Sequence, residues 1–235
     1  MTQNAHIIQQ PTLPAAQLIL LFHGVGADAQ AMRPAGERLA AEFPFAMIVS
    51  VAAHQRSETT DGFQWFSVAG ITEENRAERI AQALPAFEAC VAHWQQVAGV
   101  DAAATALIGF SQGAIMALEA TKRDVPLASR VFAISGRFAT LPQVPASDTT
   151  IHLLHGKTDT VMPYSHTVEA AHHLRDLGAD MTAEVLPFIG HEMHPDFMEK
   201  VLLKLTTHVP KRLWEEATQA AASTPVPQDG KPLIH

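Results

Sequence analysis

Cys90 is the only cysteine in the 235 residues, so no disulfide can form within the chain. Basic residues are also scarce. Lys and Arg number 16 against 24 Asp and Glu, a net charge of -8, and with no cationic excess to release counterions a nucleic-acid partner is not expected. Lys122-Arg123 and Lys211-Arg212 are isolated pairs that read as solvated helix ends. Long apolar runs are missing too. Leu18–Phe22 has the length of a strand and falls far short of a bilayer span, and no basic amphipathic helix suggests a membrane surface, so no membrane insertion is expected. The start, Met1 to His6, lacks a basic segment followed by an apolar one, so no signal peptide is expected. With the lone cysteine, this makes the cytoplasm the expected compartment. A small, neutral or weakly polar ligand is the partner class that remains.

What is present is enough apolar residue, 47% of the chain, for one well-buried domain. Strand-like runs fall at Gln17–Phe22, Phe45–Val51, Thr105–Gly109, Arg130–Ser135, Thr150–His155 and Met181–Phe188, with His6–Gln9 as an antiparallel edge candidate. Helix-like stretches alternate with them at Pro34–Glu42, Glu73–Leu84, Pro85–Ala98, Ala114–Lys122, Ser165–Leu177 and Pro195–Thr207. Pro85 either kinks one long helix or opens a second. Apolar strands separated by helices predict an α/β fold, with a mainly parallel sheet covered on both faces. A single domain is expected over 1–220, with a flexible tail over 221–235, where breakers replace apolar anchors. The connection after Ser135, Gly136 to Asp148, is too short for a cap domain.

Gly109-Phe110-Ser111-Gln112-Gly113 joins a strand-like segment to a helix-like one. In that setting G-x-S-x-G is the pattern of a nucleophile elbow, where a strained turn lifts the serine above the sheet and glycines leave room for the reversal. Serine needs a base, and the base an orienting acid. In sheet-borne hydrolases they follow in the order Ser, Asp or Glu, His. Asp159 lies in the loop after the Thr150–His155 strand, and His191 follows the Met181–Phe188 strand, so all three fall on the C-terminal edge of the sheet. The chain has 13 histidines, so order and edge, not residue type, select His191. His194 competes, but Pro195 after it suits the first position of a helix. Oxyanion stabilisation requires fixed N–H donors. The Gln112 amide at the start of a helix is one candidate, and the Val25 amide, in His23-Gly24-Val25-Gly26-Ala27-Asp28 after an early strand, is the other.

Two rival readings exist. His191-Glu192-Met193-His194 is one position short of the H-E-x-x-H zinc pattern, and Cys90 with His93 lacks further ligands, so neither a metal nor a cofactor is expected. A non-catalytic ligand-binding hydrolase fold is the other rival, although no member of the Ser, Asp, His set is missing.

The run His23–Asp28, Trp65-Phe66, Gly109–Ala114, Ser135-Gly136, His155-Gly-x-x-Asp159 with Val161-x-Pro163, and Gly190-His191 together resemble the phospholipase/carboxylesterase family, which includes the acyl-protein thioesterases. The likeness runs from His6 to Ala217. It implies an α/β-hydrolase fold without a cap domain, a Ser111–Asp159–His191 triad, an oxyanion hole from the Val25 and Gln112 amides, and Trp65 and Phe66 beside the substrate groove. On residue type alone, Trp65 and Phe66 read as core aromatics. The activity implied is that of a serine carboxylesterase on short to medium acyl esters or thioesters. A long-chain acyl-protein thioesterase or lysophospholipase is the alternative. The substrate would be a small molecule and the protein a monomer or homodimer. Val25 stands where many members carry Leu. Gly136-Arg137-Phe138 departs from the usual sequence after the Ser-Gly, and this bears on acyl preference.

Overall fold

Residues 5–12 and 14–223 are described by a computed structural model. The strands are β1 (Ala5–Gln9), β2 (Gln17–Phe22), β3 (Ala46–Val51), β4 (Gln55–Arg56), β5 (Phe63–Gln64), β6 (Thr105–Phe110), β7 (Arg130–Ile134), β8 (Thr150–Gly156) and β9 (Met181–Leu186). The helices are α1 (Arg33–Glu42), α2 (Glu73–Ala98), α3 (Gln112–Ala120), α4 (Ser165–Asp176), α5 (Pro195–Thr207) and α6 (Lys211–Ser223). Seven strands form one sheet in the order β1-β3-β2-β6-β7-β8-β9. The β1–β3 pair is antiparallel and every other pair is parallel. This is the α/β-hydrolase fold.

Alternation along the strands divides the core in two. Leu18, Leu20 and Phe22 of β2 face one side with Leu107 and Val131, against α2, α3 and α4. Ile19 and Leu21 face the other with Ile108, Phe132 and Ile134, against Met32, Ala35 and Leu39 and the α5 residues Phe197, Val201 and Leu202. Both faces are covered, which is why these strands read as continuous apolar runs.

Several boundaries differ from the sequence expectation. Helix α2 runs unbroken through Pro85, from a capping box between Thr72 and Asn75 to Gly99 at φ 70°, so the proline does not open a second helix. β9 stops at Leu186 because Phe188 takes φ 61° and turns the chain. The helix after the elbow begins at Gln112, directly behind Ser111. The β4–β5 hairpin and α6 were not expected. Helix α6 carries the ordered chain past residue 220 to Ser223, and the rest of the expected tail, 224–235, lies outside the described residues. No helix among the described residues is long and apolar enough to cross a membrane.

Candidate active site

The elbow forms where β6 meets α3. Ser111 holds φ 52° and ψ -114°, a conformation unusual for a residue with a Cβ. Both flanking glycines are sterically required. A Cβ on Gly109 would lie 2.5 Å from the Ala114 nitrogen, and one on Gly113 would lie 2.3 Å from the Phe22 carbonyl oxygen.

The three residues expected from chain order meet at the sheet edge. Ser111 Oγ is 2.9 Å from His191 Nε2, and His191 Nδ1 is 2.7 Å from Asp159 Oδ2. The ionised carboxylate only accepts, so Nδ1 carries the proton and Nε2 presents its lone pair to the serine hydroxyl. Asp159 Oδ1 also accepts from the Val161 and Met162 amides at 2.9 and 2.8 Å. Burial opposes the charge on Asp159, but hydrogen bonds from Met162, His191 and Val161 outweigh it and hold the carboxyl below the usual range. The Asp159 and His191 loops are joined by backbone bonds from Lys157 to Leu186 and from Thr158 to Ile189, at 2.8 and 3.0 Å.

Two supporting residues had no role in the sequence reading. The Phe110 ring lies 5.0 Å from the His191 ring, centroid to centroid, and fixes one face of the imidazole. His155, fully buried, bonds Thr167 Oγ1 at 2.7 Å and the Met162 carbonyl at 2.8 Å, with Asp159 Oδ2 at 3.3 Å. Burial lowers its pKa, so it supports the Asp159 loop as a neutral ring. Phe110 is the variable residue before the serine in the elbow pattern, and His155 opens the His-Gly-x-x-Asp segment, so both positions were in view. Their partners, His191 in the loop after β9 and Thr167 on α4, are distant along the chain.

The loop after β2 packs against the elbow, and a Cβ on Gly24 would come within 3.2 Å of Ser111 Cβ. Neutral His23 accepts from the Ala53 amide at 3.0 Å through Nε2 and donates from Nδ1 to the Gly24 carbonyl at 2.7 Å. Burial keeps its pKa low. Gly26 donates to the Phe63 carbonyl and Phe63 to the Ala27 carbonyl, both at 2.8 Å. Val25 sits between these anchors and is exposed. Gln112 starts α3, where the first amides have no intrahelical acceptor.

Trp65 and Phe66 require a correction. Each is only 2% exposed, so their side chains belong to the core and do not wall a groove. The Trp65 ring packs against Phe22 and Phe87, each with centroids at 5.5 Å, and its Nε1 donates to the His23 carbonyl at 2.9 Å. The Gln112 side chain grips the same segment. Its Oε1 accepts from the Trp65 amide and its Nε2 donates to the Phe66 carbonyl, both at 2.7 Å. The segment therefore supports the loop carrying Val25 from behind.

His194 lies outside the constellation. It caps α5, its Nδ1 accepting from the Asp196 amide at 3.2 Å. Among the described residues no group of three or more His, Cys, Asp or Glu could hold a metal ion. Burial pushes the Cys90 thiol up to about 12, while His93 is exposed beside Trp94.

Known proteins resemble this chain in sequence and fold. The phospholipase/carboxylesterase family matches residues 3–209. The esterase YpfH of Escherichia coli (strain K12) is 45% identical over 217 residues, covering 92% of this chain and 94% of its own. Among solved structures, esterase PE8 is 26% identical with a TM-score of 0.79, covering 89% of this chain and 100% of its own. A carboxylesterase from Mesorhizobium loti, 18% identical over 87% of this chain and 100% of its own, shares the fold with a TM-score of 0.70. A sheet edge that presents a serine on a strained elbow is therefore joined by likeness along nearly the whole chain, and this protein belongs to the phospholipase/carboxylesterase family and is a carboxylic ester hydrolase.

Proposed function

We propose that the protein is a serine carboxylesterase that hydrolyses short to medium acyl esters or thioesters through an acyl-enzyme on Ser111. Ser111 Oγ attacks the acyl carbon while His191 Nε2 takes its proton, and Asp159 holds the imidazole in the tautomer that leaves Nε2 free. The carbonyl oxygen, now negative, accepts from the Val25 and Gln112 amides. His191 then returns the proton to the leaving alcohol or thiol, and the same ring activates the water that releases the acid.

The observation that carries this reading is the unbroken hydrogen-bond chain from Ser111 through His191 to Asp159, at 2.9 and 2.7 Å. The test is Ser111→Ala. Loss of a triad nucleophile costs about 10⁶ in kcat in the best-studied protease series, so nitrophenyl butyrate turnover should fall to background and fluorophosphonate labelling should disappear. The fold should persist. Turnover near that of the parent, in protein freed of contaminating esterases, would refute the reading.

A further inference from the structure

One cluster on the same sheet edge has no part in that reaction. β7 ends at Ile134, and Ser135 directly after it takes φ 50° without being glycine, the kind of strained residue that gathers at functional sites. The turn brings Gly136 against the elbow, where a Cβ would meet Ala114 Cβ at 2.5 Å and the Ser111 carbonyl oxygen at 3.3 Å. Arg137 therefore follows a residue packed on the backbone of the elbow. Its side chain is only 12% exposed, and its guanidinium lies between the first turns of α2 and α4. Nη2 donates to both carboxylate oxygens of Glu73, at 2.8 and 2.6 Å, and Nη1 lies 3.3 Å from His166 Nε2.

Arg76, 20% exposed, donates to the same Glu73 at 3.2 Å. The Nε atoms of both arginines are buried without a hydrogen-bond partner. Two guanidiniums thus converge on one carboxylate, and that carboxylate is the exposed member, at 69%. Arg79 does not share it, since its donors go to the Ser67 and Ala69 carbonyls at 3.0 and 2.7 Å. Burial, then the charge of Arg137, lowers the pKa of His166. Exposed Glu169 acts on this ring through space. An ion pair with so exposed a carboxylate adds little stability, whereas placing two guanidinium groups mostly out of water is costly. The arrangement suits a receptor better than a staple.

We propose that Arg137 and Arg76 form an anion-accepting subsite beside Ser111, which takes a carboxylate carried by the ester substrate, and that Glu73 is the internal carboxylate occupying it when no substrate is bound. This rests on Ser111 being the nucleophile. The planar guanidinium fork matches a carboxylate, and displacement of Glu73 exchanges one such partner for another while its own carboxylate returns to water. The net charge of -8 does not favour anionic substrates over the surface at large, so the selection would be local.

The test compares kcat/KM within two matched pairs at low salt. Nitrophenyl hemiglutarate against nitrophenyl pentanoate places the extra carboxylate on the acyl side. Carboxyphenyl acetate against methylphenyl acetate places it on the alcohol side. In one pair the charged ester should be favoured by about tenfold, the scale of a charge-assisted pair, and which pair responds identifies the side. Glu73→Gln should raise that ratio severalfold by removing the competitor, and Arg137→Gln should bring it toward unity. Glu73 is exposed, so its variant tests the idea even if Arg137→Gln does not fold. Ratios near unity in both pairs, unmoved by Glu73→Gln, would overturn the subsite. Failure of the wild type on the neutral esters would instead count against Ser111 as nucleophile.

Discussion

Replacing Trp65 tests the placement of the ring most directly, because core and groove positions predict opposite outcomes. The ring is 2% exposed and packs against Phe22 and Phe87, and truncating a buried aromatic to Ala costs about 3–5 kcal/mol. The His23 carbonyl also loses its indole donor, and a buried acceptor left unpaired adds about 1–3 kcal/mol. Trp65→Ala should therefore lower the unfolding free energy by about 4 kcal/mol or more, and Tm by about 10 °C at the usual conversion for a domain this size. Trp65→Phe retains a ring but no donor and should show about half the loss. Urea unfolding followed by circular dichroism reads both. In the folded fraction, kcat on nitrophenyl butyrate should fall while KM changes little, since the loosened loop carries the Val25 amide, which the proposed mechanism uses in the transition state. A stability loss under about 1 kcal/mol, together with altered acyl-chain selectivity, would refute this and return Trp65 to the groove.

His191→Ala should match Ser111→Ala in severity while His194→Ala retains most activity, because His194 only caps α5; initial rates that reverse this order would move the base. Buried His152 has its pKa lowered from 6.5 to about 3, chiefly by burial and then by His208, Arg130 and Lys204. The unfolded chain therefore takes up a proton below about pH 6.5 that the native state refuses, and stability drains away as pH falls from there toward about 3. Between about pH 7 and about pH 5 the loss should be about 2 kcal/mol, and His152→Gln should flatten the slope measured by urea unfolding at each pH. Nitrophenyl esters should peak in kcat/KM between acetate and butyrate and flatten by octanoate. With Trp65 and Phe66 in the core, a longer chain buries little, and a methylene is worth about 0.8 kcal/mol only when fully buried. A steady rise through dodecanoate would indicate a closed acyl channel instead.

Sequence reading succeeded where local pattern and tertiary environment agree. β2, β6, β7 and β8 are covered on both faces, so burial writes itself into the chain as apolar runs. The Ser111, Asp159 and His191 positions were legible because each follows the end of a strand at the same sheet edge. The β4–β5 hairpin left no such trace. Its strands are two residues each, and Phe63 is held by distant Gly26 and Ala27, a contact no local period encodes. Helix α6 is exposed along most of its length, so it shows no buried stripe, although its Ala, Glu, Lys and Leu content favours a helix by propensity alone. β9 is shorter than its apolar run because Phe188 continues the apolar character of the strand, whereas its backbone is already left-handed. For Trp65 and Phe66, residue type indicated the core and the family resemblance indicated the groove; the rings follow residue type.

The grip on the segment after β2 also fixes when disorder is lost. Residues 23–27 have no helix or ladder of their own, and each free residue would hold about 1–2 kcal/mol of backbone entropy. The Ala53 and Trp65 donors, the Gly26–Phe63 exchange and the Gln112 clamp remove that freedom once, as the chain folds. In the proposed mechanism, a substrate then meets amides that need no further ordering. Catalytic readiness in this protein is in that sense a folding property, and variants that soften the 55–66 excursion should show their defect as a slower enzyme before they show it as a weaker binder.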